Sequence, residues 1–313
     1  MLILDILLFI GALILIFYGS KRVLNTGNTV TSRLALSGVA AGALVFATLT
    51  AMPELFSTVY TIYGDSANIG FANLVGTNIH NIPLAIGIPA LFTVISYEKF
   101  AKKICLSMLV AELFSALLVI DGQMNVLKGV VLIISYFVYV VYVIKRGNNH
   151  DEIIPEETKS SKSNKEIIFN FILGGAILLG GCALIVVSSL DLAEVLGISK
   201  FFVAIVVMSL GPVLPEASIS ILAASKGQGN ICMSNALGDN IFTIFIVLGI
   251  TGILSPFHVS SRELVLSVVP MLLMTLILFA LVGNHDSKLT RKHGAVLVGT
   301  YSLILLAQTI YLA

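Results

Sequence analysis

Two acidic residues lie inside apolar segments of this chain, and each directly follows a proline. They are Glu54 and Glu216, and they are 162 residues apart. The same shift superimposes residues 73–79 on residues 235–241 without a gap. A carboxylate at the centre of a bilayer costs roughly 2.5–3.5 kcal/mol on insertion scales. A duplication that keeps this cost in both copies predicts a shared site for a cation.

The composition is that of an integral membrane protein. Of the 313 residues, 57% are hydrophobic and only 11% are charged, whereas a soluble domain carries about 25% charged residues. The apolar runs approach the ~20 residues of a spanning helix rather than the ~10 of a barrel strand. The first run, 2–18, lacks a basic flank and a cleavage site, which predicts a retained helix. Three scattered cysteines indicate neither a disulfide framework nor a zinc site.

The apolar segments predict an all-α integral membrane protein with ten transmembrane helices, arranged as two inverted-topology five-helix repeats. We expect a first repeat over 1–144, a polar connector over 145–166 and a second repeat over 167–313. The predicted spans are 2–18, 34–62, 67–95, 103–120, 125–144, 167–189, 200–225, 229–254, 264–282 and 293–312.

The distribution of basic residues predicts the orientation. If alternate loops are assigned to opposite sides, fifteen Lys and Arg lie on one side and only Lys128, Lys200 and Arg262 on the other. The positive-inside rule then places the connector in the cytoplasm and both termini outside, in a plasma membrane. Because five spans per repeat is an odd number, the second repeat enters the membrane from the opposite side. Transporters built in this way bind substrate near the midplane, at interrupted helices.

Polar positions near the first acid form a strip of oxygen donors. Pro53 removes a backbone donor and frees a carbonyl one turn earlier, and Pro215 does the same in the second repeat. Thr50 and Glu54 share one helical face, and Ala47 lies a further turn back. Hydroxyl, carboxylate and carbonyl oxygens are the ligands of hard cations such as Ca2+.

The next span in each repeat adds a second polar strip at a spacing of four residues. No Lys or Arg lies in the interior of these spans, so an external cation or a proton must compensate the acids. Three carboxylates, Glu54, Glu216 and Asp239, are therefore expected to converge. The two strips are Asn73, Thr77 and Asn81 in the first repeat and Asn235, Asp239 and Thr243 in the second.

Several other polar residues are more typical of packing than of ion binding. A single Asn in a membrane helix usually makes an interhelical hydrogen bond. Glu112 has no partner in the other repeat, which favours a structural or proton-linked role. His80 adjoins Asn81 on a different face, which favours packing over proton sensing. The asparagines in this group are Asn73, Asn78, Asn235 and Asn240.

At these residues the sequence resembles the sodium/calcium exchangers of the calcium/cation antiporter superfamily. That family has two repeats, each with a Gly-Thr-Ser-Leu-Pro-Glu-like motif and a later Gly-Ser-Asn-Ile-like helix start. The first repeat reads Leu-Thr-Ala-Met-Pro-Glu over 49–54 and Gly-Thr-Asn-Ile over 76–79. The second reads Gly-Pro-Val-Leu-Pro-Glu over 211–216 and Gly-Asp-Asn-Ile over 238–241.

The resemblance implies a role for each matching residue. Glu54 and Glu216 would be the central Ca2+ ligands with Thr50 beside them, and carbonyls of Ala47 and Ser209 would serve flanking Na+ sites. The residues implied to line the same cavity are Thr77, Asn81, Asp239 and Thr243.

The second repeat departs from the family pattern at four positions. Pro212 and Val213 stand where the family has Thr and Ser, which removes a hydroxyl ligand. The family often has Ser at the position of Asp239 and Asp at that of Thr243, so the acid has moved one turn, about 5.4 Å along the same face. We expect this shift to alter ion stoichiometry or selectivity rather than to abolish transport.

The function predicted from these observations is a secondary-active antiporter that exchanges Ca2+ for Na+ by alternating access. A proton-coupled cation antiporter is the alternative, and an intramembrane enzyme is a remote one, since only Asp239 among the aspartates lies clearly inside a span. The expected partners are small inorganic cations and the lipid bilayer. No cofactor, nucleic acid or obligatory protein partner is expected.

Overall fold

A computed structural model describes residues 2–33, 36–52, 54–55, 58, 67–147, 163–196, 205–206, 209–283 and 287–312. Pro53, most of the predicted connector and Lys200 lie outside the described residues.

The described chain is mostly helical, and its helices are numbered here in chain order. The N-terminal half contains α1 (Leu2–Arg33), α2 (Gly38–Thr50), α3 (Ala67–Asn81, continued by Ile82–Gly87 and Ile88–Phe92), α4 (Lys99–Leu118) and α5 (Val126–Gly147). The C-terminal half contains α6 (Asn164–Leu196), α7 (Leu210–Ser225), α8 (Gly229–Phe242, continued by Thr243–Val247 and Leu248–Leu254), α9 (Ser261–Val282) and α10 (Arg291–Leu312).

Five helices among the described residues are long and apolar enough to cross a membrane. They are those over Ile69–Phe92, Val126–Arg146, Gly229–Leu254, Ser261–Val282 and Arg291–Tyr311.

The first helix is longer than the sequence predicted. The expected span ends at residue 18, but α1 continues to Arg33, so Lys21 and Arg22 lie in a helix and not in a loop. The cause is packing along α6: Gly19 lies against the backbone of Leu178, and the Arg22 guanidinium donates a hydrogen bond to the side-chain oxygen of Asn170.

Four two-residue strands join the two halves of the chain and are an addition to the all-α prediction. They are β1 (Ile95–Ser96), β2 (Gln123–Met124), β3 (Phe257–His258) and β4 (Lys288–Leu289). The antiparallel pairs are β1 with β4 and β2 with β3, so each pair takes one strand from each half. The loop between α3 and α4 therefore lies beside that between α9 and α10, and the loop between α4 and α5 lies beside that between α8 and α9.

Close glycine contacts also cross between the halves. A methyl group added at Gly294 of α10 would lie 2.7 Å from the carbonyl oxygen of Gly87 in α3. A methyl group added at Gly129 of α5 would lie 2.5 Å from the carbonyl oxygen of Gly249 in α8. Because Gly87 and Gly249 are 162 residues apart, the last helix of each half packs on equivalent positions of the other half. Small residues allow this close approach of backbones.

Candidate ion-binding site

Three buried carboxylates from separate helical segments meet in the interior. Glu54 follows the end of α2, Glu216 lies in α7 and Asp239 lies in α8. All three residues are buried, and one carboxylate oxygen from each lies within 4.8 Å of those from the other two. The sequence holds no Lys or Arg between residues 34 and 95, and only the exposed Lys226 between residues 201 and 254. Like charges at this separation repel one another unless a cation or a proton is present.

The start of α7 places Glu216 in the interior. Pro215 lies inside the helix immediately before Glu216. Pro212 lies in the first turn, where backbone N–H groups have no partner within the helix, so a proline there removes no helical hydrogen bond. Ser209 precedes the helix, and its hydroxyl donates a 2.7 Å hydrogen bond to the carbonyl of Ile205.

The hydroxyl of Thr50 keeps the lone pairs that a cation needs. Its Oγ1 lies 3.0 Å from the carbonyl oxygen of Phe46, 3.3 Å from that of Ala47 and 3.4 Å from Oδ1 of Asn235. A hydroxyl has one hydrogen to donate and two lone pairs to offer. Donation to any one of these acceptors leaves the lone pairs of Thr50 available to an ion.

The amide of Asn81 orients Asp239. Its Nδ2 lies 2.9 Å from Oδ2 of Asp239, 2.8 Å from Oδ1 of Asn240 and 3.1 Å from the carbonyl oxygen of Ala236. Within the described residues, Oδ1 of Asn81 and Oδ1 of Asp239 have no hydrogen-bond partner. One oxygen of the carboxylate cluster and one amide oxygen beside it are thus left for a cation.

Other predicted site residues already make hydrogen bonds in this conformation. The Ala47 carbonyl accepts from the backbone N–H of Ala51 at 3.0 Å as well as lying within reach of Thr50. The Thr77 hydroxyl donates to the carbonyl of Asn73 at 2.9 Å. Oγ1 of Thr243 lies 3.0 Å from the Asn240 carbonyl and accepts from Nδ2 of Asn78 at 2.8 Å. Any ion ligation by these groups would exchange one of these bonds for a bond to the ion.

The asparagines expected to make packing contacts link α3 to α8. Nδ2 of Asn240 donates to the carbonyl of Asn78 at 3.2 Å, in addition to the bonds Asn78–Thr243 and Asn81–Asn240. The 162-residue shift converts each of the last two bonds into the other, because Asn78 corresponds to Asn240 and Asn81 to Thr243. The packing interpretation of Asn78 and Asn240 agrees with these contacts.

Two glycines bring the helices of opposite halves into backbone contact. A methyl group added at Gly76 would lie 2.2 Å from the carbonyl oxygen of Ile205, and one added at Gly238 would lie 2.5 Å from that of Ala43. The 162-residue shift converts one contact into the other.

Gly76→Ala is expected to destabilise the protein, because its new methyl group would overlap a backbone oxygen that no side-chain rotation can move away. Overpacking of this kind typically costs about 1–3 kcal/mol. The measurement is the melting temperature in detergent, and Gly299→Ala is the control, because nothing lies within 4 Å of its added methyl group. Equal melting temperatures for the two variants would contradict the close contact.

Glu112 and His80 lie outside the carboxylate cluster. Glu112 lies in α4, and its Oε1 accepts a 2.8 Å hydrogen bond from the hydroxyl of Thr275 in α9. Nε2 of His80 lies 3.2 Å from the carbonyl oxygen of Val206. These contacts agree with the structural interpretation of Glu112 and the packing interpretation of His80.

One pair of buried hydroxyl residues was missed by the sequence analysis. Thr58 and Ser220 each lie four residues after a glutamate of the cluster, and both are buried. Oγ of Ser220 accepts a 3.3 Å hydrogen bond from Nδ2 of Asn235. The shift that relates Glu54 to Glu216 also relates Thr58 to Ser220, so the same comparison would have found them.

Apolar helices around a buried carboxylate cluster define a membrane protein with a candidate cation site. The chain belongs to the sodium/calcium exchanger protein family, which it matches over residues 4–145 and 167–310. This membership and the structural likeness below identify the class as a cation/calcium exchanger.

Relatives match the chain over nearly its whole length. A membrane protein of Methanocaldococcus jannaschii is 29% identical over 304 residues, covering 96% of this chain and 97% of the relative. The sodium/calcium exchanger MaX1 of Methanosarcina acetivorans is 24% identical, covering 95% and 96%. A solved structure of the sodium-calcium exchanger NCX_Mj aligns with a TM-score of 0.81 at 26% identity, covering 98% of this chain and 99% of that one.

Proposed function

We propose that this chain exchanges Ca2+ for Na+ across the plasma membrane and that the ions bind at the carboxylate cluster. The observation that carries the proposal is the meeting of Glu54, Glu216 and Asp239 in an interior whose helices supply no Lys or Arg. Ca2+ takes six to eight oxygen ligands, with carboxylates supplying the negative charge. The cluster, the Thr50 hydroxyl and Oδ1 of Asn81 offer a set of that chemistry.

Alternating access between two inverted repeats, over 1–144 and 167–313, is the mechanism we propose. Its support is that the 162-residue shift converts the contact of Gly76 with Ile205 into the contact of Gly238 with Ala43. The strand pairs support the proposed topology of ten spans, since β1 pairs with β4 and β2 with β3, and this topology puts the two loops of each pair on the same face. With the basic residues placed inside, the 145–166 connector is cytoplasmic and both termini are outside.

The flanking Na+ sites would use backbone carbonyls of Ala47 and Ser209, with Thr77 and Thr243 lining the same cavity. Because the Ala47 carbonyl already accepts the Ala51 N–H, Na+ binding there would be accompanied by lengthening of that hydrogen bond. Ions that compete for overlapping oxygens cannot occupy the site together, and this mutual exclusion is what an exchanger requires.

The test is uptake of radioactive Ca2+ into proteoliposomes loaded with Na+, compared with vesicles loaded with K+ and with acid-loaded vesicles. We expect uptake only with internal Na+. Uptake driven only by a proton gradient would overturn the Na+ coupling and assign the protein to the proton-coupled alternative. The absence of uptake under every gradient would overturn Ca2+ as the substrate.

A further inference from the structure

His80 joins three elements in the interior. It is fully buried in α3, and its Nε2 lies 3.2 Å from the carbonyl oxygen of Val206. Since a carbonyl can only accept, the hydrogen of this bond is on Nε2. Nδ1 has no hydrogen-bond partner among the described residues. The ring of His80 also meets that of Tyr301 in α10 edge to face, with centroids 5.4 Å apart.

The segment held by His80 leads into α7. Val206 is three residues before Ser209, and α7 carries Glu216. Gly76 lies one turn before His80 on α3 and packs on the carbonyl of Ile205, next to Val206. Two successive turns of α3 therefore hold this segment, one by steric fit and one by a hydrogen bond.

The equivalent position in the other repeat has the ring contact but no side-chain donor. The 162-residue shift converts His80 into Phe242 and Val206 into Leu44. Phe242 meets Tyr136 of α5 edge to face, again with centroids 5.4 Å apart. The steric fit is also repeated, by Gly238 on Ala43. A phenylalanine cannot donate to the Leu44 carbonyl, so the hydrogen bond exists in one repeat only.

The effect inferred from this difference between the repeats rests on the proposed function, with its two inverted repeats. A twofold axis in the membrane plane exchanges the two repeats and the two faces of the membrane together. A symmetric chain would populate its two access states equally, and a residue that differs between the repeats shifts that balance. We propose that His80 is a positioning residue whose N–H bond to Val206 stabilises one access state, and so sets the relative Ca2+ affinity of the two faces.

The readout is the ratio of half-saturating Ca2+ concentrations on the two faces, measured in right-side-out and inside-out vesicles from the same cells. For two states in equilibrium this ratio follows the equilibrium constant between them. We expect His80→Phe to change the ratio by about 2- to 10-fold, the range that corresponds to one hydrogen bond. Phe242→His adds a donor to the other repeat and is expected to move the ratio in the same direction.

Two variants separate the hydrogen bond from simple packing. His80→Gln places an N–H group at a similar reach and is expected to restore the ratio toward that of the wild type. Tyr301→Phe keeps the ring against His80 and is expected to leave the ratio unchanged. A purely structural role would lower the maximal rate of His80→Phe and leave the ratio at the wild-type value.

An unchanged ratio in both His80→Phe and Phe242→His would overturn this inference while leaving the exchange function intact. If His80→Phe does not fold, Phe242→His decides alone, and an unchanged ratio in that variant overturns the inference. Loss of Na+-dependent uptake in the wild type is a different result and would overturn the proposed function itself.

Discussion

Glu54→Gln is expected to lower Na+-dependent Ca2+ uptake by more than about 100-fold. Glu54 is buried and shares the cluster with Glu216 and Asp239, so the change removes one negative charge from the place where a divalent ion would bind. Loss of an outer-shell partner already costs about 10- to 100-fold in metal affinity, and a direct ligand is expected to cost more. The measurement is the initial rate of uptake into Na+-loaded proteoliposomes over a range of Ca2+ concentrations.

Glu112→Gln is the matched control for this variant. Glu112 is also a buried glutamate in a helix, α4, but it lies outside the cluster and contacts Thr275. Glutamine keeps an oxygen that accepts the Thr275 hydroxyl, so we expect uptake close to that of the wild type. If the two variants lost uptake equally, the effect of Glu54→Gln would reflect removal of any buried acid rather than loss of an ion ligand.

Asp239→Asn is expected to change the coupling between the two ions as well as the affinity. The substitution keeps an oxygen that can accept the Asn81 amide, so the local hydrogen bond is preserved while one of three negative charges is lost. Fewer charges require fewer monovalent cations for neutralisation. We therefore expect weaker Ca2+ binding and fewer Na+ exchanged per Ca2+.

The coupling is measured from the Na+ gradient at which net Ca2+ flux is zero, for several Ca2+ gradients. The matched variant combines Asp239→Ser with Thr243→Asp, which keeps three acids and moves one of them by about 5.4 Å along the helix. We expect this double variant to recover Ca2+ uptake relative to Asp239→Asn, with a changed Na+ dependence. A Ca2+ flux in Asp239→Asn equal to that of the wild type would remove Asp239 from the ion site.

The sequence predicted the carboxylate cluster because burial of charge is costly enough to leave a pattern. Glu54, Glu216 and Asp239 lie in apolar segments without Lys or Arg, and that composition alone requires compensation. The sequence also predicted the end of a helix correctly where an apolar run ends in turn residues, as at Leu254. The end of α1 could not be predicted from the sequence, because its polar continuation is stabilised by contacts with α6, a distant part of the chain.

Details within the site depended on interhelical geometry. The sequence put Thr77, Asn81 and Asp239 on polar strips but did not indicate which hydroxyl or amide is used for packing. Only the structure shows that the Asn81 amide donates to Asp239 while Thr77 donates to its own helix. The partner of His80 was equally hidden, because Val206 contributes a backbone carbonyl whose position no residue type encodes.

The strand pairs that join the two halves of the chain have a consequence for biosynthesis. Ile95 pairs with Leu289, and the intervening chain must be synthesised before that pair can form. At ribosomal rates of about 5–20 residues per second, this delay is roughly 10–40 s. During that interval the strand edge at Ile95 has no native partner in the nascent chain. Premature chain termination within α9, before Leu289 is made, would therefore leave the strand at Ile95 without its native partner and be a direct route to misassembly.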